Sequence, residues 1–221
     1  MKTTVSLRSL MLLAAFTILT GCATSRSEVK LGDTGSVNNF AVTKSRVVLI
    51  RSVSDERVFE QTPNDPSTPS LGGEGANGAS GDTKARAIGR KRGGFGKALG
   101  DVLLENGQTV AGVVRENLTA AFKQAGYRTT SSAADAGPSP MIVDVHIKQF
   151  WAWVQPGFWA MTLNSHITTD LEISGIASPA VVSVSEKDSR QLVTDGAWIE
   201  IVDKALKDYR EQASAKAAQL P

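Results

Sequence analysis

The chain has one cysteine, Cys22, and two histidines, His146 and His166. No disulfide can close within it, and the soft ligands for a structural zinc site are too few. Net charge is equally scarce, with 24 Lys and Arg against 22 Asp and Glu. Lys2 and Arg8 lie in the first 21 residues, which hold no acid, so the remainder balances at 22 of each sign. Such a balance draws no nucleic acid. No apolar run reaches the roughly 20 residues that a membrane-spanning helix needs. There is no G-x-S-x-G nucleophile elbow. Gly73, Gly75 and Gly78 match a dinucleotide fingerprint by letter, but in a Gly- and Pro-rich stretch they are expected to follow no strand and open no helix. The run from Gly93 to Lys97 has Lys91 where a phosphate loop needs its first glycine, and Ala98 where it needs a hydroxyl. Neither is a nucleotide site, and no cofactor is expected.

What is present begins at the N-terminus. Lys2 and Arg8 precede a short apolar run, Leu10 to Ile18, which ends in Leu19-Thr20-Gly21-Cys22. This pattern is that of a secretory signal, residues 1–21, with a bacterial lipobox. Small residues before the cysteine admit the peptidase, cleavage falls between Gly21 and Cys22, and the Cys22 sulfur takes the lipid. Two or more acyl chains anchor a protein stably where one is marginal. Ala23 stands where an aspartate would retain such a lipoprotein at the inner membrane, so the outer membrane, periplasmic face, is the expected location. Residues 22–44 read as the lipidated Cys22 and a flexible tether.

The remainder, 45–217, reads as a single periplasmic α+β domain of order β-α-β-β-β-α, its sheet a mostly antiparallel meander with the helices on one face. The first strand is Ser45–Ser52. Residues 62–83 hold three Pro, five Gly and one large apolar side chain, Leu71. With the basic run that follows, 62–97 reads as a disordered insertion. Apolar residues from Val110 to Ala125 fall on one helical stripe, and Gly126 stops that helix. Two alternating runs, Met141–Val154 and Trp159–Ile173, form a long hairpin, with Val143, Val145, Ile147, Trp151 and Trp153 on one face of the first. Parity then requires an odd-length loop, met by three residues with Gly157 left-handed. Ala180–Glu186 and Gln191–Trp198 read as a second hairpin, and Ile199–Ala217 as the closing helix.

Three sets of residues are candidates for contact or chemistry. Lys84, Arg86, Arg90, Lys91, Arg92 and Lys97 form a basic run able to meet anionic lipid, including lipopolysaccharide. Phe150, Trp151, Trp153, Phe158 and Trp159 crowd the hairpin tip, a site for a partner or a bilayer interface. His146 and His166 lie on the polar face of that hairpin, where Asp144 or Asp170 would have to complete a metal site. The expected function is a non-enzymatic lipoprotein that binds an envelope partner, protein or glycolipid. The alternative is a periplasmic hydrolase or metal-dependent enzyme built on His146 and His166.

The order of motifs also carries a resemblance. The lipobox is followed by a strand ending in Asp55-Glu56-Arg57, a helix ending in Ala125-Gly126-Tyr127, and a V-x-V-x-I-x-Q-x-W strand over 143–151. Over most of 45–212 this resembles the YajG-like family of bacterial lipoproteins of unknown function. More distantly it resembles auxiliary envelope lipoproteins such as the plug of the lipopolysaccharide export barrel. The resemblance implies a small periplasmic α/β domain on a lipid anchor and transfers no catalytic residue.

Overall fold

A computed structural model describes residues 26–32, 40–93 and 97–220. The signal segment, Gly21 and Cys22 lie outside the described residues. The strands are β1 (Ser27–Val29), β2 (Val47–Asp55), β3 (Ala87–Arg92), β4 (Ala98–Leu104), β5 (Arg128–Thr130), β6 (Met141–Pro156), β7 (Met161–Ile173) and β8 (Ala180–Arg190). The helices are α1 (Gly75–Gly78), α2 (Gly81–Arg86), α3 (Val110–Gln124) and α4 (Asp195–Ala218). All eight strands join one sheet.

The sheet is mixed, which corrects the expected antiparallel meander. β1 with β4, β2 with β5, β2 with β6 and β3 with β6 are parallel. Only β3 with β4, β6 with β7 and β7 with β8 are antiparallel. A parallel pair needs a crossover, and α3 provides it between β2 and β6. β6 is long enough to hold β2 along its first half and β3 at Ala152 and Trp153 farther on.

Thr109 caps α3 by accepting from the Gly112 N–H at 3.1 Å. Gly126 closes it at φ 89°, with the Tyr127 N–H reaching the Phe122 carbonyl at 3.0 Å. Helix α4 begins at Asp195, so 191–198 is no strand, and β8 runs on through Lys187, Asp188 and Ser189 where a turn was expected. Trp198 lies three and four residues before Ile201 and Val202, and all three are buried on one helical stripe with Leu206 and Tyr209. Both helices share a core with the inward residues of β2, β6 and β7.

The sharpest local event lies within β6. Up to Ile147 the buried residues are odd-numbered: Val143, Val145 and Ile147. Lys148 is an extra, exposed residue at a register shift between Ile147 and Gln149. Beyond it the core residues are even-numbered, Phe150, Ala152 and Val154, while β7 keeps Leu163, Ile167 and Leu171 inward throughout. The bulge thus turns the alternation over. The parity expectation holds below it, where Val145 faces Leu171, and fails above it, where Trp151 faces His166. The loop beyond has four residues, 157–160, and Gly157 is not left-handed. A Cβ there would sit 2.6 Å from the Ala160 carbonyl oxygen.

Trp151 therefore points away from the helices, into a second cluster with Leu71, Ala87 and Leu103. The segment from Arg57 to Arg86 covers it, so the expected disorder of 62–97 is corrected for the described residues. Leu71, the one large apolar side chain in 62–83, is 1% exposed. The Trp151 indole donates to the Pro66 carbonyl at 3.2 Å, and the Gln149 amide to that of Ser67 at 3.0 Å. Arg57 pins this roof from below. Its side chain is fully buried, pairs with Asp55, and donates to the carbonyls of Ala87, Phe150 and Lys84.

The expected tether is corrected in part as well. Val29 and Leu31 are buried, and β1 completes the sheet beside β4. Arg86, itself buried, ties β1 through Glu28, and Gln108 bonds both backbone groups of Leu31 at 3.1 Å.

Candidate functional site

The basic run is largely consumed inside the fold. Arg86 pairs with Glu28 and Asp82 and donates to the Leu104 carbonyl. Arg90 lies 4.0 Å from the Asp101 carboxylate and bonds Ser70, and Lys91 pairs with Asp195 at 3.2 Å. Lys84 and Arg92 are half-buried, and burial among other charges lowers the affinity of Arg92 for its proton. Lys97 alone of the six is exposed. Sequence reasoning missed that the middle of this run, Ala87–Arg92, is a strand, because there Arg90, Lys91 and Arg92 outnumber the apolar Ala87 and Ile88.

The histidines are held apart. His146 lies across from Asp170, and His166 across from Trp151, four residues farther along β7, or about 13 Å. Asp144, one proposed third ligand, is bound to Arg51 and Ser52. Among the described residues no group of three or more His, Cys, Asp or Glu is placed to hold a metal ion.

His146 belongs instead to a ladder of charge on the sheet face left open before the bulge. Its Nδ1 bonds Glu56, which also binds Lys148 at 2.6 Å, and its Nε2 lies 3.7 Å from Glu172. The Glu56 hydrogen bond raises the pKa of His146 above its ordinary value against the opposing effect of burial. Lys148 and then His146 in turn hold the Glu56 carboxyl below its usual range, and Arg51 does the same for Asp144. Beside the ladder Arg51, Asp144 and Glu172 line an open hollow of about 440 Å³ with Ile142 and Ile176. Both Arg51 and Lys148 occupy register shifts, in β2 and β6. His166 differs: it bonds Thr168 and Ser183 at 2.9 and 3.2 Å, and burial lowers its pKa.

The aromatic set splits three ways. Phe150 is in the main core, Trp151 lies under the roof with Phe59 edge-on at 6.0 Å, and Trp153 is half-buried beside it. Phe158 and Trp159 stand out at the turn, 90% and 82% exposed, packed edge-to-face at 4.8 Å. Three chain reversals meet at that end of the sheet. β3 runs parallel to β6 and ends at Arg92, and β8 ends at Arg190 across from Met161. Leu192, two residues beyond, is 69% exposed. Sequence reasoning missed Leu192 because it was absorbed into the expected strand 191–198.

Among the described residues no helix is long and apolar enough to cross a membrane. No family model matches the chain, and no curated protein does. Among solved structures, an uncharacterized protein is similar over 90% of this chain and 99% of its own, at 9% identity and a TM-score of 0.43. A protein from Xanthomonas campestris of the DUF330 family is similar over 87% of this chain and 93% of its own, at 9% identity and a TM-score of 0.47. The likeness is thus to uncharacterised proteins, and overlap so loose assigns this chain no chemistry.

Proposed function

We propose that this protein is a lipid-anchored, non-enzymatic module of the outer membrane that binds an envelope partner from the periplasmic face. The observation that carries the reading is Leu19-Thr20-Gly21-Cys22 after a short apolar run, four residues ahead of the docked Arg26. The lipid is the acyl group on Cys22, and the periplasmic domain is the folded remainder. Cys22→Ser abolishes incorporation of a palmitate analogue and releases the protein from envelopes, because no other segment is apolar enough to hold it. Label retained on that variant overturns the reading.

The partner, protein or lipopolysaccharide, is met on the open charged face of β2, β6 and β7, where opposite charges lie in rows and a hollow adjoins them. A charged surface of this kind confers orientation and specificity more than affinity. A photo-crosslinker at position 172, on that face, yields a discrete adduct in intact envelopes, and one at position 207, on exposed α4, yields none. Adducts from neither position, or equally from both, refute this surface.

A further inference from the structure

The end of the sheet that carries Phe158 and Trp159 is also the end from which the N-terminal chain arrives. Ser27 pairs with Val102 and Val29 with Leu104, so β1 runs with β4, away from Ala98 and Arg92. The chain ahead of Ser27 therefore comes from the turn side. Arg26 confirms the direction by pairing at 3.1 Å with Asp101, one residue nearer that side than Val102.

Register converts direction into distance. Val102 faces Gly89, and Gly89 faces Ala152, so Ser27 is level with Ala152 on β6. From Ala152 to Gly157 five strand residues extend about 17 Å toward the tip. From Ser27 back to Cys22 five residues, drawn fully straight, reach at most about 17 Å. The two lengths are the same, so the backbone of Cys22 can rise no farther than the plane of the aromatic turn, and the acyl chains it carries enter the bilayer from that level or below. Slack in β1 does not relieve this, since Lys91, Arg86, Asp101 and Gln108 all hold it.

We propose that this end of the domain is a second membrane contact, in which Phe158, Trp159 and Leu192 seat in the interface of the bilayer that holds the lipid on Cys22. This rests on the lipoprotein reading of Cys22. Trp is favoured at the headgroup level, where its ring is half in hydrocarbon and its N–H stays wet. The remaining exposed large apolar residues, such as Val42, Val58 and Ile176, carry no aromatic ring apart from Phe40, which is half as exposed as Phe158. Exposed Lys97 stands near the same end, where an anionic headgroup layer attracts it. A domain so seated keeps a fixed orientation: the sheet stands on its tip, and the charged face of β2, β6 and β7 is presented sideways to the periplasm.

The test uses the full lipidated chain reconstituted into vesicles of phosphatidylethanolamine and phosphatidylglycerol. Tryptophan emission is read with brominated acyl chains in the lipid and, separately, with iodide in the water. In the wild type a blue-shifted component is quenched by the brominated lipid and sheltered from iodide. Trp159→Phe loses that component, while the emission of buried Trp151 and Trp198 is unaffected. A protein that carries the palmitate label and floats with the vesicles, yet leaves Trp159 open to iodide and unquenched by brominated lipid, overturns this inference alone. A protein without the label that fails to float overturns both this inference and the lipoprotein reading.

Discussion

The two halves of β6 make an instructive pair. Before Lys148 one face of the strand meets the helices, and the other carries Asp144 and His146 in an open ladder of charge. Over Phe150–Ala152 both faces are buried, one against the helical core and one under the roof built from 57–86. A half-open strand alternates cleanly because water and core impose opposite chemistry on successive residues. A doubly covered strand does not alternate: Phe150, Trp151 and Ala152 are consecutive and all at most 1% exposed. The change of regime occurs at one residue, and it is the bulge that permits it.

If the roof is structural, the largest effect falls on its pin. Arg57→Ala destabilises the domain by about 3–5 kcal/mol, because Asp55 and three carbonyls lose a buried charged partner. Urea unfolding measures this, and Arg57→Lys rescues only in part, having one ammonium in place of a planar fork. An Arg57→Ala midpoint equal to that of the wild type would show that the roof contributes nothing. Trp151→Ala follows at about 3–5 kcal/mol, as for any large aromatic truncated in a core. Its counterpart Trp159→Ala, eight residues on, stays within about 0.5 kcal/mol. Equal losses at the two would break the distinction between roofed strand and bare tip.

Gly89→Ala sharpens the junction between β3 and β6. The added Cβ would lie 2.8 Å from both the Ala152 carbonyl oxygen and the Trp198 ring, so overpacking costs about 1–3 kcal/mol. A matched loss in thermal midpoint, without loss of secondary structure, is expected.

The smallest effects separate the two histidines by sign. His166, with its pKa lowered by burial from an ordinary 6.5, contributes a stability that is full above that value and falls as the solution is acidified through it. His146, with its pKa raised by Glu56, contributes stability that is full below 6.5 and fades as pH rises through its folded value. His166→Gln therefore flattens the loss on the acid side, and His146→Gln flattens the decline above neutrality. Urea midpoints measured between pH 5 and pH 8 read both, and slopes of the same sign in the two variants would refute the assignment.

Local rules recovered the elements whose burial is one-sided. Gly126 ends α3 by capping chemistry that acts within a few residues, and β7 alternates from Leu163 to Ile173 because its second face is only half covered. The long hairpin was legible for the same reason, as was the stripe on α4 from Ile201 onward. The composition of 84–97 misled in turn, since Arg86, Arg90 and Lys91 look solvated until Glu28, Asp101 and Asp195 are brought to them from distant positions.

The sequence by itself determined that one cysteine closes no disulfide within the chain, that Gly126 ends α3, and which face of β7 is apolar. The last two depend on residue types within a turn or two of one another. Tertiary structure alone decided that β1 docks beside β4, that 57–86 roofs Trp151 and not solvent, and that β2 and β6 lie parallel across α3. Those outcomes depend on pairing groups far apart in the chain, such as Glu28 with Arg86 and Arg57 with Phe150. Loop closure, not local preference, sets whether such groups meet, and no window of neighbouring residues carries that information.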